Sequence, residues 1–361
     1  MNKKLKVLFS LLILSLVLGI AFRSSEKFAE LYTLYIAPAV RIPLSLITSP
    51  FPFSVGESTV LVLVLMCIVA AVSGMIRLIS KAFSLKYSGH FKTYSRVILY
   101  TLAFIYFSYA FGFSSSYSRV PISESMKLEK VEMTSENITE ALVLVSDELE
   151  KIADDISYVK GNATVSGMSL DDISTELQLC AKRATEKYPF FQKHPFKAKP
   201  IAFSSPLAYT GISGIYSFFT GESNINTVFP EYTLPFTVAH EYSHQLGIGS
   251  EKEAEFSALL ICLESDIPYV RYSAYSQVAI TLLNILFEQD EEAFYDIFVT
   301  LPPCLVNDLY ISSQSSQRYS ETKADEIASA INDMYLSASG DEGVVSYSLS
   351  SRLYVSYFLR S

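Results

Sequence analysis

The sequence predicts a multi-pass membrane protein in which three N-terminal transmembrane helices precede a mainly α-helical domain of the α+β class. Half of the 361 residues are hydrophobic, and the long apolar runs are concentrated in the first third of the chain. Beyond Arg119 the composition changes to an acidic, serine-rich stretch and then to segments of helical period. We therefore divide the chain into a membrane domain, residues 1–118, and a second domain, residues 119–361.

Three apolar runs account for the membrane domain, at about residues 5–22, 58–77 and 97–114. Each run has the length that a helix needs to cross about 30 Å of hydrocarbon. The first run could instead be a cleaved signal peptide, although no clean small-x-small cleavage site follows it. We predict three transmembrane helices, which place the protein in the lipid bilayer of the plasma membrane.

Basic residues predict the orientation of these helices. Three lysines lie within the first six residues, and residues 77–96, from the end of the second run to the start of the third, carry five basic residues and no acidic one. The positive-inside rule places both segments in the cytoplasm, so three crossings put residues 119–361 on the extracytoplasmic side. The loop between the first two runs is apolar and proline-rich. We expect it either to lie in or dip into the membrane or to pack against the second domain.

The second domain is predicted to begin with a helical arm, to continue with short strands and to end with helices. The arm covers residues 121–151, and the candidate strands are 199–204, 214–219 and 225–229. The later helices are predicted at 270–287, 291–300, 314–336 and 345–359. The net charge of −9 and the lack of a basic stripe argue against nucleic acid as a partner.

The segment 233–263 carries the chemistry, because it contains the pattern H-E-x-x-H at His240, Glu241 and His244. Residues four apart on a helix share one face, so His240 and His244 can direct two imidazoles at one Zn²⁺. Glu241 then lies beside the metal as the general base. Pro235 suits the first turn of this helix, and Gly247 and Gly249 suit its end.

A second helix, at about residues 251–263, should supply the third metal ligand. Ser250 is predicted as its N-cap, and Glu253 would complete a capping box. Glu251 and Glu255 fall on one face of this helix. We predict that Glu251 binds the metal and that Glu255 contacts one of the histidines; the opposite assignment is the alternative.

The residues after H-E-x-x-H, Glu251-Lys252-Glu253-Ala254-Glu255, resemble the second motif of gluzincin-type zinc peptidases. The wider chain resembles a bacterial domain-of-unknown-function family of membrane-anchored, HExxH-containing zinc metallopeptidases. The matching segments are 52–57, 214–226, 240–256, 271–275 and 332–336. This resemblance implies a zincin-like catalytic domain with the metal ligand at Glu251. Glu255 departs from the family, where asparagine is usual, and leaves a competing carboxylate.

The resemblance also implies a way to hold substrate, because zincin folds pair the extended substrate with an edge strand before the H-E-x-x-H helix. Residues 214–217 or 224–227 are the two candidates for that strand. A neutral hydrogen-bond donor near the metal would stabilise the oxyanion of a tetrahedral intermediate. Tyr272, Tyr216 and His194 are the candidate donors.

Two functions from different classes are compatible with these features. The first is a zinc-dependent peptidase that hydrolyses peptide or protein substrates with Glu241 as general base. The alternative is a non-catalytic envelope scaffold that binds peptide or wall polymer and has a structural or vestigial metal site. A structural site needs no general base, so Glu241 favours the enzyme. Intramembrane proteolysis is disfavoured because more than a hundred residues separate the motif from the last apolar run.

Overall fold

A computed structural model describes residues 3–83, 86, 89–192, 196–319, 322–341 and 349–360. The described part is mostly helical. Five helices form the membrane-proximal part: α1 (Lys3–Ser24), α2 (Glu26–Tyr35), α3 (Pro38–Thr48), α4 (Val55–Ala82) and α5 (Phe91–Gly112). A 3-10 turn, Ser114–Ser118, connects α5 to the remainder of the chain.

Among the described residues, four helical segments are long and apolar enough to cross a membrane: Lys6–Ser24, Glu26–Thr48, Val55–Ala82 and Phe91–Gly112. Three of them coincide with the predicted spans. The fourth, Glu26–Thr48, lies in what the sequence analysis treated as a loop. It consists of two helices, because the first helix ends before Ile36 and Ala37 and Pro38 occupies the first turn of α3.

The segment Glu26–Thr48 contacts the following domain along its whole length. Glu30, near its start, forms a salt bridge of 2.7 Å with the buried Arg119. The buried Arg41, in its middle, donates to the carbonyl oxygen of Gln245. Thr48, at its end, donates to the carbonyl oxygen of Thr220 at 3.0 Å. Both ends therefore lie against the same globular part.

The globular part contains eleven helices among the described residues. They are α6 (Ile122–Ser125), α7 (Ser135–Ala153), α8 (Leu170–Lys187), α9 (Ser204–Ala208), α10 (Leu234–Gln245), α11 (Glu251–Cys262), α12 (Pro268–Gln289), α13 (Glu291–Phe298), α14 (Pro303–Tyr319), α15 (Lys323–Ser339) and α16 (Ser350–Phe358). Buried side chains from α7, α8, α10, α11, α12 and α16 form one hydrophobic core.

The predicted arm is helical from Ser135 onward, because Thr134 caps the helix and apolar residues recur every three or four positions. The prediction of one helix at 314–336 was wrong. Two helices, α14 and α15, cover that region, and the side chain of Thr322 caps the second. The helical period continues across this break, so periodicity alone did not reveal it. The last helix begins at Ser350, and the residues predicted before it lie partly outside the described residues.

Three strands form one small sheet in the described part of the chain: β1 (Lys199–Pro200), β2 (Gly214–Ser217) and β3 (Glu222–Ile225). The order is β1-β3-β2, with β3 parallel to β1 and antiparallel to β2. The predicted strand at 225–229 was wrong, since β3 lies earlier and ends at Ile225. β3 is central, so 224–227 is not an edge and β2 is the strand with a free edge beside α10.

Candidate metal centre

The H-E-x-x-H residues lie on α10, as predicted. Pro235 occupies its first turn, and the helix ends at Gln245, before Gly247. Nearly every side chain of α10 is buried, because α8, α11, α12 and the sheet surround it. A helix packed on all sides holds its polar side chains in fixed positions, which a metal site requires.

Two imidazoles and one carboxylate converge between α10 and α11. His240 Nε2 lies 3.2 Å from His244 Nε2 and 3.2 Å from Glu251 Oε2. His244 Nε2 lies 3.4 Å from the same carboxylate oxygen. The ligand atoms of these three buried residues all lie within 4.8 Å of one another, a spacing that could hold one metal ion.

The other ring nitrogens have separate partners. His244 Nδ1 lies 2.8 Å from the carbonyl oxygen of Ile248, which fixes Nδ1 as the protonated nitrogen and leaves Nε2 as the donor to a metal. His240 Nδ1 faces Glu255 Oε1 at 3.5 Å. The hydroxyl of Tyr354 lies 3.4 Å from Glu255 Oε2. Glu251 thus joins the three-residue group, while Glu255 lies behind His240.

The start of α11 differs from the predicted capping box. Ser250 is the N-cap residue, but its side chain makes no capping hydrogen bond. The backbone N–H of Glu251 donates instead to Asp341 Oδ2 at 2.9 Å. Glu253 accepts a hydrogen bond of 2.8 Å from the backbone N–H of Ile122. The carboxylate of Glu253 therefore holds the chain entering α6, a long-range contact that no local pattern indicates.

Glu241 lies between the histidines and the edge of the sheet. Its side chain is buried, and Oε2 has no hydrogen-bond partner among the described residues. A Cβ atom added to Gly214 would lie 2.5 Å from Glu241 Oε1, so the first residue of β2 passes directly against this carboxylate. Burial raises the pKa of Glu241 to about 7, although the two histidines oppose that rise. A carboxyl with a pKa near neutrality suits proton transfer in both directions.

In this cluster, burial and the neighbouring charges shift the pKa values in opposite directions. Burial alone lowers the pKa of His240, but its hydrogen bond to the Glu251 carboxylate and the negative charge of the nearby Glu255 outweigh burial and raise that pKa to about 9. Burial raises the pKa of Glu251, yet His244 and His240 hold it well below its ordinary value. Without metal, positive charge on imidazole compensates the carboxylates; a divalent cation would take over that role.

A cleft of about 780 Å³ opens at the cluster. His240, Glu241, His244 and Glu251 line its floor, and β2 forms one wall. The other walls carry aromatic and hydroxyl side chains from distant parts of the chain: Phe113, Tyr117, Phe229, Ser312 and Tyr335. The site can therefore hold an extended ligand next to the three potential metal ligands.

The three predicted donors have different positions. Tyr216 lies in the cleft wall with its ring stacked 6.5 Å from that of His244. Tyr272 is buried in the core, where its hydroxyl donates to Asp308 Oδ2 at 2.8 Å, and it does not line the cleft. His194 lies outside the described residues. Sequence reasoning missed Tyr117 and Tyr335, whose hydroxyls are 3.1 Å apart in the cleft.

A family model described as a protein of unknown function (DUF3810) matches residues 32–355, which is most of the chain. No curated protein matches the chain, and no solved structure matches it.

Proposed function

The chain belongs to the DUF3810 family, in keeping with its resemblance to a domain-of-unknown-function family, and we propose that it is a membrane-anchored, zinc-dependent peptidase. One observation supports this proposal above the others. His240, His244 and Glu251 offer three ligand atoms within 4.8 Å of one another, while a fourth buried group, Glu241, lies outside that set and faces the cleft. A purely structural metal site has no use for this additional carboxylate.

The residues present fit zinc. Two imidazole nitrogens and one carboxylate oxygen are a donor set that Zn²⁺ commonly takes in hydrolytic enzymes, with one position left for water. The hydrogen bond from His244 Nδ1 to Ile248 orients that ring, and Glu255 lies where it can do the same for His240. When bound in such a site, zinc lowers the pKa of water and polarises a carbonyl group.

The chain's own residues would carry the proton. Glu241 accepts a proton from the attacking water and then delivers it to the amine that leaves. Burial raises the pKa of Tyr335 above its ordinary value, so its hydroxyl stays protonated and can donate to the oxyanion. Tyr216 is the second candidate for that role, because its buried hydroxyl has no partner among the described residues.

The free edge of β2 would hold the substrate backbone. β2 pairs with β3 on one side only, and its other side lines the cleft next to Glu241. An extended peptide added along this edge would gain backbone hydrogen bonds that do not depend on its sequence. The class of substrate is therefore peptide or protein.

We also propose three membrane crossings, with residues 119–361 on the extracytoplasmic side. The C-terminal ends of α1 and α5 and the N-terminal end of α4 all contact the globular part. The segment Glu26–Thr48 touches that part at both ends, whereas a crossing would separate its ends by about 30 Å. The charge pattern then puts the globular part outside.

The function is tested by hydrolysis of a mixed peptide library by the purified full-length protein with zinc. We expect cleavage by the wild-type protein and none above background by Glu241→Gln, which keeps the shape of the side chain but cannot accept the proton. Equal cleavage by both would refute the mechanism. Zinc binding without cleavage of any peptide would favour the non-catalytic scaffold.

A further inference from the structure

We infer that the substrate is a segment of another membrane-anchored protein, cut within a few residues of its own anchor. This inference rests on the proposed peptidase function and adds the class of substrate. The cleft, the strand β2 and the exposed apolar surfaces of α1, α4 and α5 carry it.

The metal cluster lies at the end of a membrane helix. Phe113, the residue directly after α5, has its ring 6.3 Å from that of His244 and 5.3 Å from that of Tyr216. More than a hundred residues separate Phe113 from His240 in the sequence. In the folded protein the two regions are adjacent. A Cβ atom added to Gly249, in the turn after α10, would lie only 2.8 Å from the backbone of Ser116, shortly after α5.

The lipid-facing surface ends close to the cluster. On α5, Tyr106 is 40% exposed, whereas Ser108 is buried against the protein. From Tyr106 to Phe113 the helix rises by about 10 Å. On α4, Val60 is 47% exposed, while Gly56, one turn earlier, is buried. On α4 and α5 the exposed large apolar side chains therefore stop one to two helical turns from the site.

The strand β2 runs between the membrane and the cluster. At one end, Gly214 lies against Glu241. At the other end, a Cβ atom on Gly56 of α4 would lie 2.6 Å from the hydroxyl of Ser217. These two positions are about 10 Å apart along a strand. A peptide added to β2 would have one end directed at the first turn of α4.

The cleft extends in the same direction. Its membrane end is formed by Phe218 and Tyr335, whose rings lie 5.4 and 6.1 Å from that of Tyr109 on α5. Its other end is formed by Phe229, which packs against Tyr319 at 6.0 Å. A substrate lying along the cleft would extend from the membrane surface past Glu241.

A second cavity, of about 280 Å³, lies beside Tyr109, between α1, α5 and the end of α15. Leu16, Gly19 and Tyr106 are among the residues that line it. The hydroxyl of Tyr109 contacts Ser339 Oγ at 2.7 Å and separates this cavity from the cleft. Space for an apolar anchor thus borders the membrane end of the cleft.

These distances set the length of substrate between anchor and cut. About 10 Å along β2 and about 6 Å along the first turn of α4 separate Glu241 from the lipid-facing surface. Extended chain covers about 3.3 Å per residue, so roughly five residues span the gap. A soluble peptide has no anchor to occupy the membrane end.

The geometry can be measured independently of catalysis, because the chain contains no tryptophan. Phe218→Trp and Phe229→Trp each introduce a single tryptophan, at opposite ends of the same cleft and at half-buried positions. The variants are reconstituted in liposomes of lipids brominated near the top of their acyl chains. We expect the bromine atoms to quench the fluorescence of Phe218→Trp at least severalfold more than that of Phe229→Trp. Equal quenching of the two variants would overturn the inference.

The substrate class is tested with full-length protein and zinc in liposomes. Randomised peptide cassettes are attached to a transmembrane leucine-alanine helix, either directly or through a flexible Gly/Ser spacer of about 25 residues. The same cassettes are also tested as free, soluble peptides. We expect the directly attached cassettes to be cut within about ten residues of the helix, and at least tenfold faster than free ones. The Glu241→Gln variant provides the background.

The outcomes separate the two levels of the proposal. Cleavage of spaced or free cassettes with resistance of the directly attached ones would overturn the inference and leave the peptidase function standing. Cleavage of no cassette by the zinc-loaded protein would refute the peptidase function and the substrate class with it, whatever the quenching shows.

Discussion

Glu241 on α10 lies directly against Gly214 at the start of β2. An alanine at position 214 would bring its Cβ to 2.5 Å from Glu241 Oε1 and force the carboxylate to move. We expect Gly214→Ala to lower the turnover number by about 100-fold, because a displacement of about 1 Å costs that much when a base is misaligned. Its zinc content should not change, since the three ligands are elsewhere.

The matched control for hydrolysis of a soluble peptide is Gly19→Ala, because nothing lies within 4 Å of a Cβ atom added to Gly19 and a soluble peptide has no anchor to enter the cavity that Gly19 lines. Steady-state hydrolysis of a cleaved library peptide and metal analysis of the same preparations measure the effect. Full turnover by Gly214→Ala would show that Glu241 is not the base, or that β2 can shift away from Glu241 without displacing its carboxylate.

For individual residues, the sequence predicted the cluster and one wall of the cleft, β2 with Tyr216, but missed the other walls. His240 and His244 meet because residues four apart share a helical face, and Glu251 follows on the next helix. Those relations are local. Tyr117 and Tyr335 reach the site only through the tertiary fold. Tyr335 lies in the segment 332–336 that resembles the family, but neither that resemblance nor a composition with 24 tyrosines assigned either residue to the site.

Among the structural elements, β1 and β3 are joined by a buried ion pair between Lys199 and Glu222, and the same glutamate holds the start of α4. Glu222 accepts hydrogen bonds of 3.2 and 2.7 Å from the first backbone N–H groups of α4, and Lys199 Nζ lies 2.6 Å from the same carboxylate. The side chains are 8% and 2% exposed for Lys199 and Glu222. Removal of one charge leaves the other buried without compensation.

We therefore expect Glu222→Gln to lower the free energy of unfolding by about 3 kcal/mol. Asp171→Asn provides the comparison, because it removes an exposed pair with Lys197 and should cost less than about 1 kcal/mol. Chemical unfolding in detergent, followed by circular dichroism, measures both. Equal stability of the two variants would contradict the assigned role of the ion pair.

The sequence predicted helices better than strands, for a physical reason. α1, α4, α5 and α12 are long, and their apolar patterns are decisive. The three strands have two to four residues each, too few for an alternating pattern to fix their ends. The helix α3 carries Pro38 and Pro43, which suggested a loop. Pro38 is tolerated because it lies in the first turn, whereas Pro43 lies inside the helix, where proline is normally disfavoured.

For the whole molecule, the number of crossings decides on which side the site lies. Three crossings place residues 119–361 outside, whereas four, with Glu26–Thr48 spanning as well, would place them inside. With Cys67 replaced by alanine, the remaining cysteines are buried and should not react. Single cysteines at Lys86 and Asp147 then report the two sides.

We expect an impermeant maleimide to label Asp147→Cys on intact cells and Lys86→Cys only after permeabilisation. The reverse pattern would indicate four crossings and an active site in the cytoplasm. Sequence separation was misleading here. The H-E-x-x-H motif is more than a hundred residues from α5 along the chain, but His244 lies next to Phe113, at the end of α5, in space.

The most direct test of the central claim is the zinc content of the purified full-length protein and of three variants, Glu251→Ala, Glu255→Ala and His244→Ala. We expect about one zinc per wild-type chain, its loss in Glu251→Ala and His244→Ala, and its retention in Glu255→Ala, whose carboxylate lies behind His240. A wild-type protein that takes up no zinc, or a Glu251→Ala variant that keeps it while Glu255→Ala loses it, would contradict the metal centre described above.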